Sequence, residues 1–435
     1  MTRVRLKRTL QASIGGLWGR EPLAEIEAVT VVRVADFDYE ALAAGDASTM
    51  RAVEPHLLAR RLLLDGDLLI EKSGGGDRQN VGRVVRWTGS QRAICSNFVN
   101  VLRPVSGVDA RWLTYLHRSL YLAGFAATCT RQTTGIQNLD LRMYLGARVD
   151  ILPLRDQHHV ADFLDYERKR IAELLGRIDL LVATMESWSQ QWIADRLHER
   201  ASEQLLLRRV IRDISDGPFG SSLAAAHYVD APEVRVIRLG NIGDAEFRNA
   251  DRAYVSHEYA EIHLGEHFVR PGDLVMAGLG DERHRLGRAC VVPRTLGPAI
   301  HKADCYRVRV DTGRVLPSYA AWALSYGPSR QQAELLARGA TRARLNTAVA
   351  RDLPLPWMPL DEQARLVEEA EDRRTRERRL LGRVSLLKER LAEYRDALIT
   401  EAVTGQLDVT RLSDSQLDES AHAAMEGERP EVLTA

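Results

Sequence analysis

The sequence predicts an α+β chain made of two tandem copies of one unit, each a mixed α/β globular domain followed by a long helix. Three observations predict it. Short stretches recur at a constant offset of 206 residues. Two extended charged segments carry apolar residues at heptad spacing. The blocks between them mix short apolar runs, turn signals and helical patches.

The repeat is the most informative of the three. Gly66-Asp67-Leu68 returns as Gly272-Asp273-Leu274, Pro153-Leu154 with Gln157 as Pro359-Leu360 with Gln363, and Leu174-Leu175-Gly176-Arg177 as Leu380-Leu381-Gly382-Arg383. Leu139 matches Leu345 at the same offset. One residue of slippage aligns Gly82-Arg83 with Gly287-Arg288, and Val31-Val32-Arg33-Val34 with Val236-Ile237-Arg238-Leu239. Near each start, Gly16-Leu17-Trp18-Gly19 resembles Gly217-Pro218-Phe219-Gly220. Separate matches at one offset imply duplication. The boundaries are then a domain over 1–152, a helix over 153–206, a second domain over 207–358, a second helix over 359–407 and a tail over 408–435. That tail is polar and acidic with few apolar anchors, and disorder is expected.

From Leu154 to about Ser202 there is no proline and a single glycine, Gly176. One apolar row runs Leu164, Ile171, Ile178, Met185, Trp192, and a second runs Leu174, Leu181, Trp188. In the second helix the rows are Leu380, Leu387, Tyr394 and Val384, Leu391, Leu398. Rows of this kind are the a and d positions of a coiled coil. A helix packed on a globular core is the competing reading, and the narrow stripe favours the coiled coil. The early heptads of the second helix fall on Ala370, Arg373 and Glu377, so its first turns are expected to pair weakly or pack differently. Each helix would be on the order of 60–70 Å long, and the simplest partner for one is the other.

In the globular blocks, Leu62–Leu64 and Leu68–Ile70 read as strand, turn, strand around Asp65-Gly66-Asp67. Val81–Trp87, Val291-Val292 and Val234–Leu239 read as strands, the last with Arg235 and Ile237 on one face. Trp112–Ala127 and Ser318–Ala337 read as helices. Polar loops lie between them. In the first copy, one loop carries Arg78, Gln79 and Asn80, and the other carries Arg131, Gln132, Thr134 and Gln137. In the second, one loop carries Arg283 and Arg285, and the other carries Arg338, Arg342 and Arg344. Arginine pairs with guanine through a two-pronged fork, and glutamine or asparagine with adenine. These twelve are the candidate base-contacting residues. The framework repeats while the loop contents differ, as two readers of different half-sites would; drift in tolerant loops gives the same pattern.

The chain has 435 residues and zero net charge, but the charge is unevenly placed. Residues 1–150 and 207–356 carry +5 and +4, whereas 151–206 and 357–435 carry −3 and −6. Basic blocks suit a polyanion, although an excess of this size is also ordinary. Arginine far outnumbers lysine, which favours bidentate contacts. No apolar run approaches a membrane span, and the N-terminus lacks the core of a secretory signal. The four cysteines, Cys95, Cys129, Cys290 and Cys305, form no C-x-x-C pair. Free thiols in a reducing cytoplasm are expected.

No catalytic or metal site is expected. There is no G-x-x-x-x-G-K-S/T phosphate loop, and Gly74-Gly75-Gly76 lacks its lysine and reads as a flexible hairpin loop. No Asn-Pro-Pro-Tyr or Asp-Pro-Pro-Tyr step is present. His257, His263 and His267 cluster without a zinc spacing and read as surface residues.

Taken together, these features resemble the specificity (S, HsdS-type) subunits of type I restriction-modification systems. The resemblance rests on the junctions Leu152-Pro153-Leu154-Arg155-Asp156-Gln157 and Pro359-Leu360-Asp361-Glu362-Gln363. It also rests on the run Ala397-Leu398-Ile399-Thr400-Glu401-Ala402-Val403-Thr404-Gly405, its most specific stretch. It covers about residues 1–407. The first junction departs from it, with Arg155-Asp156 where the family commonly carries an acidic pair, and Gly16-Leu17-Trp18 replaces the Asp216-Gly217-Pro218-Phe219 start.

The resemblance implies two target-recognition domains held at opposite ends of an antiparallel helix pair whose length sets the gap of a bipartite site in double-stranded DNA. It also implies two modification (methyltransferase) subunits and motor-nuclease restriction subunits as partners. Those partners would use S-adenosylmethionine, ATP and Mg, with no cofactor in this chain. A coiled-coil protein-interaction scaffold without DNA reading also accounts for the helices and acidic segments, though not for two diverged basic domains.

Overall fold

The computed structural model describes residues 2–22, 28–74, 79–133, 135–281, 284–337 and 343–409. The chain divides into two compact units, 1–177 with 385–435, and 178–384. Each unit therefore holds one globular domain and one half of each long helix.

In the first unit a five-stranded sheet has the order Leu10–Gly15, Val99–Pro104, Leu68–Glu71, Val84–Trp87, Ala43–Ala44. Its first three junctions are antiparallel, with Val101 opposite both Ile14 and Leu69. The central strand Leu68–Glu71 is buried along its whole length, because the sheet is covered on both faces. Leu68, Ile70, Val84 and Leu102 meet Trp112, Leu113 and Leu116 of the helix Ala110–Leu122. On the other face Leu69, Val85, Trp87 and Val101 pack with Val32 and Cys95. These last two belong to a three-stranded sheet, Met50–Ala52, Ala28–Val32, Ala93–Cys95, in which Val31 pairs with Ile94 in parallel.

The second unit repeats this plan. Ile211–Ser215, Cys305–Val310, Leu274–Ala277 and Ala289–Val291 form an antiparallel sheet in the corresponding order. A second sheet holds the matching parallel pair, Val236 beside Ile300. The duplication read from the sequence is thus a duplication of fold.

Two of the recurring motifs gain a physical cause. In the Gly-Asp-Leu turns, Asp67 accepts from the Leu64 N–H at 2.8 Å and pairs with Arg103 at 2.7 Å. Asp273 likewise accepts from Arg270 N–H at 2.9 Å and pairs with Arg309 at 3.1 Å. This cap is why Leu62–Leu64 is an irregular turn entry and not the expected strand. At the domain starts, a side chain on Gly16 would lie 2.0 Å from the Ser96 carbonyl oxygen, and one on Gly217 would lie 2.2 Å from the Lys302 carbonyl carbon. Only glycine lets the two backbones pass.

Other boundaries shift. The expected helices each break in two, at Gly124 (φ 73°) and at Gly327-Pro328. The strand expected over Val81–Trp87 begins at Val84. Arg235 does lie in the strand Val234–Ile237, but it is buried and donates to the Ala250 carbonyl at 2.9 Å.

The long helices span Leu154–Arg200 and Leu360–Thr404. Their ends are embedded in domain cores. Leu164, Leu398 and Ile399 join the first core, and Ile193, Leu197, Leu366 and Ala370 join the second. In the second unit Arg200 pairs with Glu369 at 2.8 Å and Ser189 bonds Glu377 at 2.9 Å, so the two helix halves run antiparallel. Both readings of these helices therefore hold, each over part of their length.

Of the residues assigned to pairing, Leu164, Ile171, Leu391 and Leu398 are buried, and Leu174, Ile178, Met185 and Val384 are half-buried. Leu181, Leu380 and Leu387 are exposed and correct that assignment. Leu380 opens onto a cleft of about 430 Å³, lined also by Met185 and Trp188, beside the charged side chains Arg373, Arg376 and Glu377. Arg373 stacks on Trp192 at 5.1 Å. Of the two expectations for these first turns, the different packing is what the structure has: Ala370 is buried in the second core, while Arg373 and Glu377 meet the other helix through Trp192 and Ser189.

Candidate nucleic-acid interface

In the first domain the two polar loops, far apart in sequence, lie side by side. Thr130–Thr133 and Ile136–Leu139 form a hairpin, so the expected loop over 131–138 is largely strand. Ser73-Gly74 pairs with Gln137 and Asn138 along the hairpin's edge, and the Val81 N–H reaches Gln137 from the other side of the polar segment. Ser73 Oγ donates to Asn138 Oδ1 at 2.7 Å. Along Ile136–Leu139 strand alternation turns Gln137 and Leu139 inward and Ile136 and Asn138 outward. Arg131 and Gln132 are exposed, as are Gln79 and Asn80. Gln137 points inward, is 5% exposed, and accepts from the Val81 N–H at 3.1 Å. It braces the loop base and is not placed to meet a base edge.

Under this surface lies an arginine that sequence reasoning aligned but did not place in the site. Arg83 stacks on Tyr39 at 3.5 Å and pairs with Glu71 at 3.2 Å, and Gln79 lies against its guanidinium. Burial raises the Glu71 carboxyl above its ordinary value despite this partner. Its counterpart Arg288 is 3% exposed and donates to the carbonyls of Ile242 (2.6 Å), Arg285 (2.7 Å) and Leu239 (2.9 Å). Desolvation by burial lowers its affinity for its proton. The recurring Gly-Arg step was the signal that could have found both.

In the second domain the loops are again adjacent. Leu279 bridges Arg344, and the Gly280 N–H donates to the Ala343 carbonyl at 2.9 Å. Arg344 pairs with Asp304 at 2.8 Å and lies over Phe219 at 5.4 Å, with about half its side chain exposed. Arg285 is exposed and lines a polar cleft of about 830 Å³ together with Gln190, Gln191, Arg330 and Gln331. Arg78, Thr134, Arg283, Arg338 and Arg342 lie outside the described residues.

The arrangement is that of a binding surface. The first domain presents exposed Arg131, Gln132, Gln79 and Asn80, and the second exposed Arg285 and Arg344, with half-buried Arg83 and buried Arg288 beneath them. His257 and His263 are exposed, and His267 is half-buried with its ring edge-on to His301. Among the described residues no three histidine, cysteine, aspartate or glutamate side chains group to hold a metal, and no helix is long and apolar enough to cross a membrane.

This architecture defines a class of protein, one with two copies of a loop-bearing α/β domain carried on two long helices. No family model and no curated protein matches the sequence. Solved structures match it over almost its whole length. One is a chain from a type I R-M system, from work on the structural basis of its complex assembly and conformational transition. It has TM-score 0.67 and 16% identity, with 93% of this chain and 98% of that chain covered. Another is the HsdS subunit from Thermoanaerobacter tengcongensis, with TM-score 0.50, 16% identity and coverage of 93% and 97%. The chain has the HsdS fold.

Proposed function

We propose that this chain is the DNA-specificity subunit of a type I restriction-modification complex, working in the cytoplasm. It chooses the site and does no bond-making chemistry itself. The observation that carries this reading is a fold match through both domains and both helices, combined with candidate reading loops that differ in content on a common frame. Each domain would read one half-site of a bipartite duplex target through its paired loops, and the helices would set the unspecified gap. Two modification subunits would supply S-adenosylmethionine-dependent methylation of an adenine flipped from the duplex. Motor-nuclease subunits would supply ATP- and Mg-dependent restriction.

Partner docking has a surface to use. Leu180, Leu181, Trp188 and Leu380 are exposed in the second unit, and Leu386 and Leu387 in the first. Exposed apolar side chains that lie together, as Leu180 and Leu181 or Leu386 and Leu387 do, mark a protein contact when a patch of them is contiguous.

The test is to map adenine methylation in cells carrying the modification subunit encoded beside this chain, with and without the chain. A two-part motif with a constant gap, present only with the chain, is the expected result. A soluble complex with no chain-dependent methylation would favour the scaffold.

A further inference from the structure

Each recognition domain is fastened to its own helix at two places, and the same pair of fastenings occurs in both copies. The first is the junction glutamine. Gln157 Oε1 accepts from the N–H of Asp109 at 2.9 Å, and its Nε2 donates to the Leu152 carbonyl at 2.8 Å. Gln363 Oε1 accepts from the N–H of Leu316 at 2.8 Å, and its Nε2 donates to the Met358 carbonyl at 2.8 Å. Asp109 and Leu316 are the N-cap residues of corresponding helices, Ala110–Leu122 and Pro317–Tyr326. Both glutamines are almost fully buried.

The second fastening is an arginine eleven residues further on, three helical turns along the same face. Arg168 donates to the Glu40 carbonyl at 3.4 Å and to Tyr115 Oη at 3.3 Å, while Arg395 of the other helix pairs with the Glu40 carboxylate. Arg374, at the offset of 206, donates to the carbonyls of Asp244 (2.7 Å) and Ala245 (2.9 Å) and stacks on Trp322 at 3.8 Å. Arg378 adds an ion pair with Glu246 at 2.6 Å. The carbonyls they hold belong to equivalent turns, each with a non-glycine residue at positive φ, Leu42 at 51° and Ala245 at 53°.

Between the two fastenings each helix packs in its domain's core, through Leu164 in the first copy and Leu366 and Ala370 in the second. The glutamine ties down the near end of this seated stretch and the arginine, about 16 Å along the helix, its far end, where a small tilt of the domain would otherwise be least opposed. We propose that Arg168 and Arg374 are positioning residues that set the angle of each recognition domain on its helix, and thereby the gap length the chain accepts. This rests on the reading of the chain as a DNA-specificity subunit. Neither arginine touches DNA in this scheme; each acts through the domain it anchors.

The test compares adenine methylation maps of cells carrying the parent chain, Arg168→Ala, Arg374→Ala or Arg374→Lys with the neighbouring modification subunit. Both alanine variants are expected to keep the two half-site sequences. Methylation at sites whose gap differs by one base pair should rise about tenfold, the loss of discrimination worth one charge-assisted contact. Arg374→Lys, which keeps the charge but not the paired donors, is expected to fall between. Hydrogen exchange at residues 38–43 and 243–246, faster in the variants, shows that the fastening has been released. A gap as strict as the parent's, with methylation falling equally at all sites or not at all, overturns the proposal while leaving the specificity reading intact. Absence of a bipartite motif with the parent chain overturns that reading, and the proposal with it.

Discussion

At the scale of single residues, the paired loops make the sharpest claim. Arg131 is 81% exposed on the first domain's hairpin, and Arg285 is exposed on the second domain's loop. Arg131→Ala is expected to relax the base preference of one half-site and Arg285→Ala that of the other, each by about 1–3 kcal/mol at one base pair. Methylation mapping reads this as degeneracy confined to one half of the motif. Degeneracy in both halves from either variant would argue against two independent readers.

Buried histidines give a second expectation. His117 and His301 are fully buried, with Nδ1 2.8 Å from Tyr144 Oη and 2.5 Å from the Cys305 carbonyl oxygen respectively. Desolvation pulls both imidazoles down to about 3. Between pH 6.5 and 3 the unfolded chain then binds protons that the folded chain does not. Stability is therefore full above pH 6.5 and is lost as pH falls, at up to about 1.4 kcal/mol per pH unit per group. Thermal unfolding at pH 7, 6 and 5 should show this slope, and His117→Gln should flatten it. An unchanged slope would place the acid sensitivity elsewhere.

Among elements, the long helices divide into covered and uncovered stretches. Leu164 and Leu398 are buried in a core, so replacing either by alanine should cost about 2–5 kcal/mol. Leu181 and Leu380 are 55% and 43% exposed, so Leu181→Ser and Leu380→Ser should leave the chain's own stability within about 0.5 kcal/mol. The same changes should reduce co-purification of the modification subunit. Undiminished co-purification would move the partner's footprint off this face. Gly176 and Gly382 sit within the helices with open space where a side chain would begin. Alanine at either position should raise stability by about 1 kcal/mol through helix propensity alone, read as a higher Tm of the isolated chain.

For the whole molecule, zero net charge conceals two basic blocks, and DNA affinity should fall steeply with salt. Log affinity plotted against log salt should slope by about −0.9 for each phosphate neutralised. A fluorescence titration of the complex on duplex DNA at stepped salt measures it. A flat dependence would fit a scaffold that never meets the backbone.

The sequence by itself determined the duplication, the order of domain and helix, and the extent of both helices. Each of these rests on periodicity or on motifs whose causes are local. The Asp67 and Asp273 turns close on residues three positions away, and Gln157 and Gln363 mark the entry to each helix. Tertiary structure alone decided which of the marked side chains are free to act. Gln137 reads like its neighbours but faces inward, because the hairpin pairs with Ser73-Gly74, more than sixty residues earlier in the chain. Leu181 and Leu380 fit a heptad but are exposed, and Leu380 opens onto a cleft that it shares with Arg373, Arg376 and Glu377. Arg168 and Arg374 look like surface charge on a solvated helix until the turns at Glu40 and Ala245 are folded against them. Period and propensity are set by neighbours along the chain, whereas burial and partnership are set by residues the chain brings back from far away.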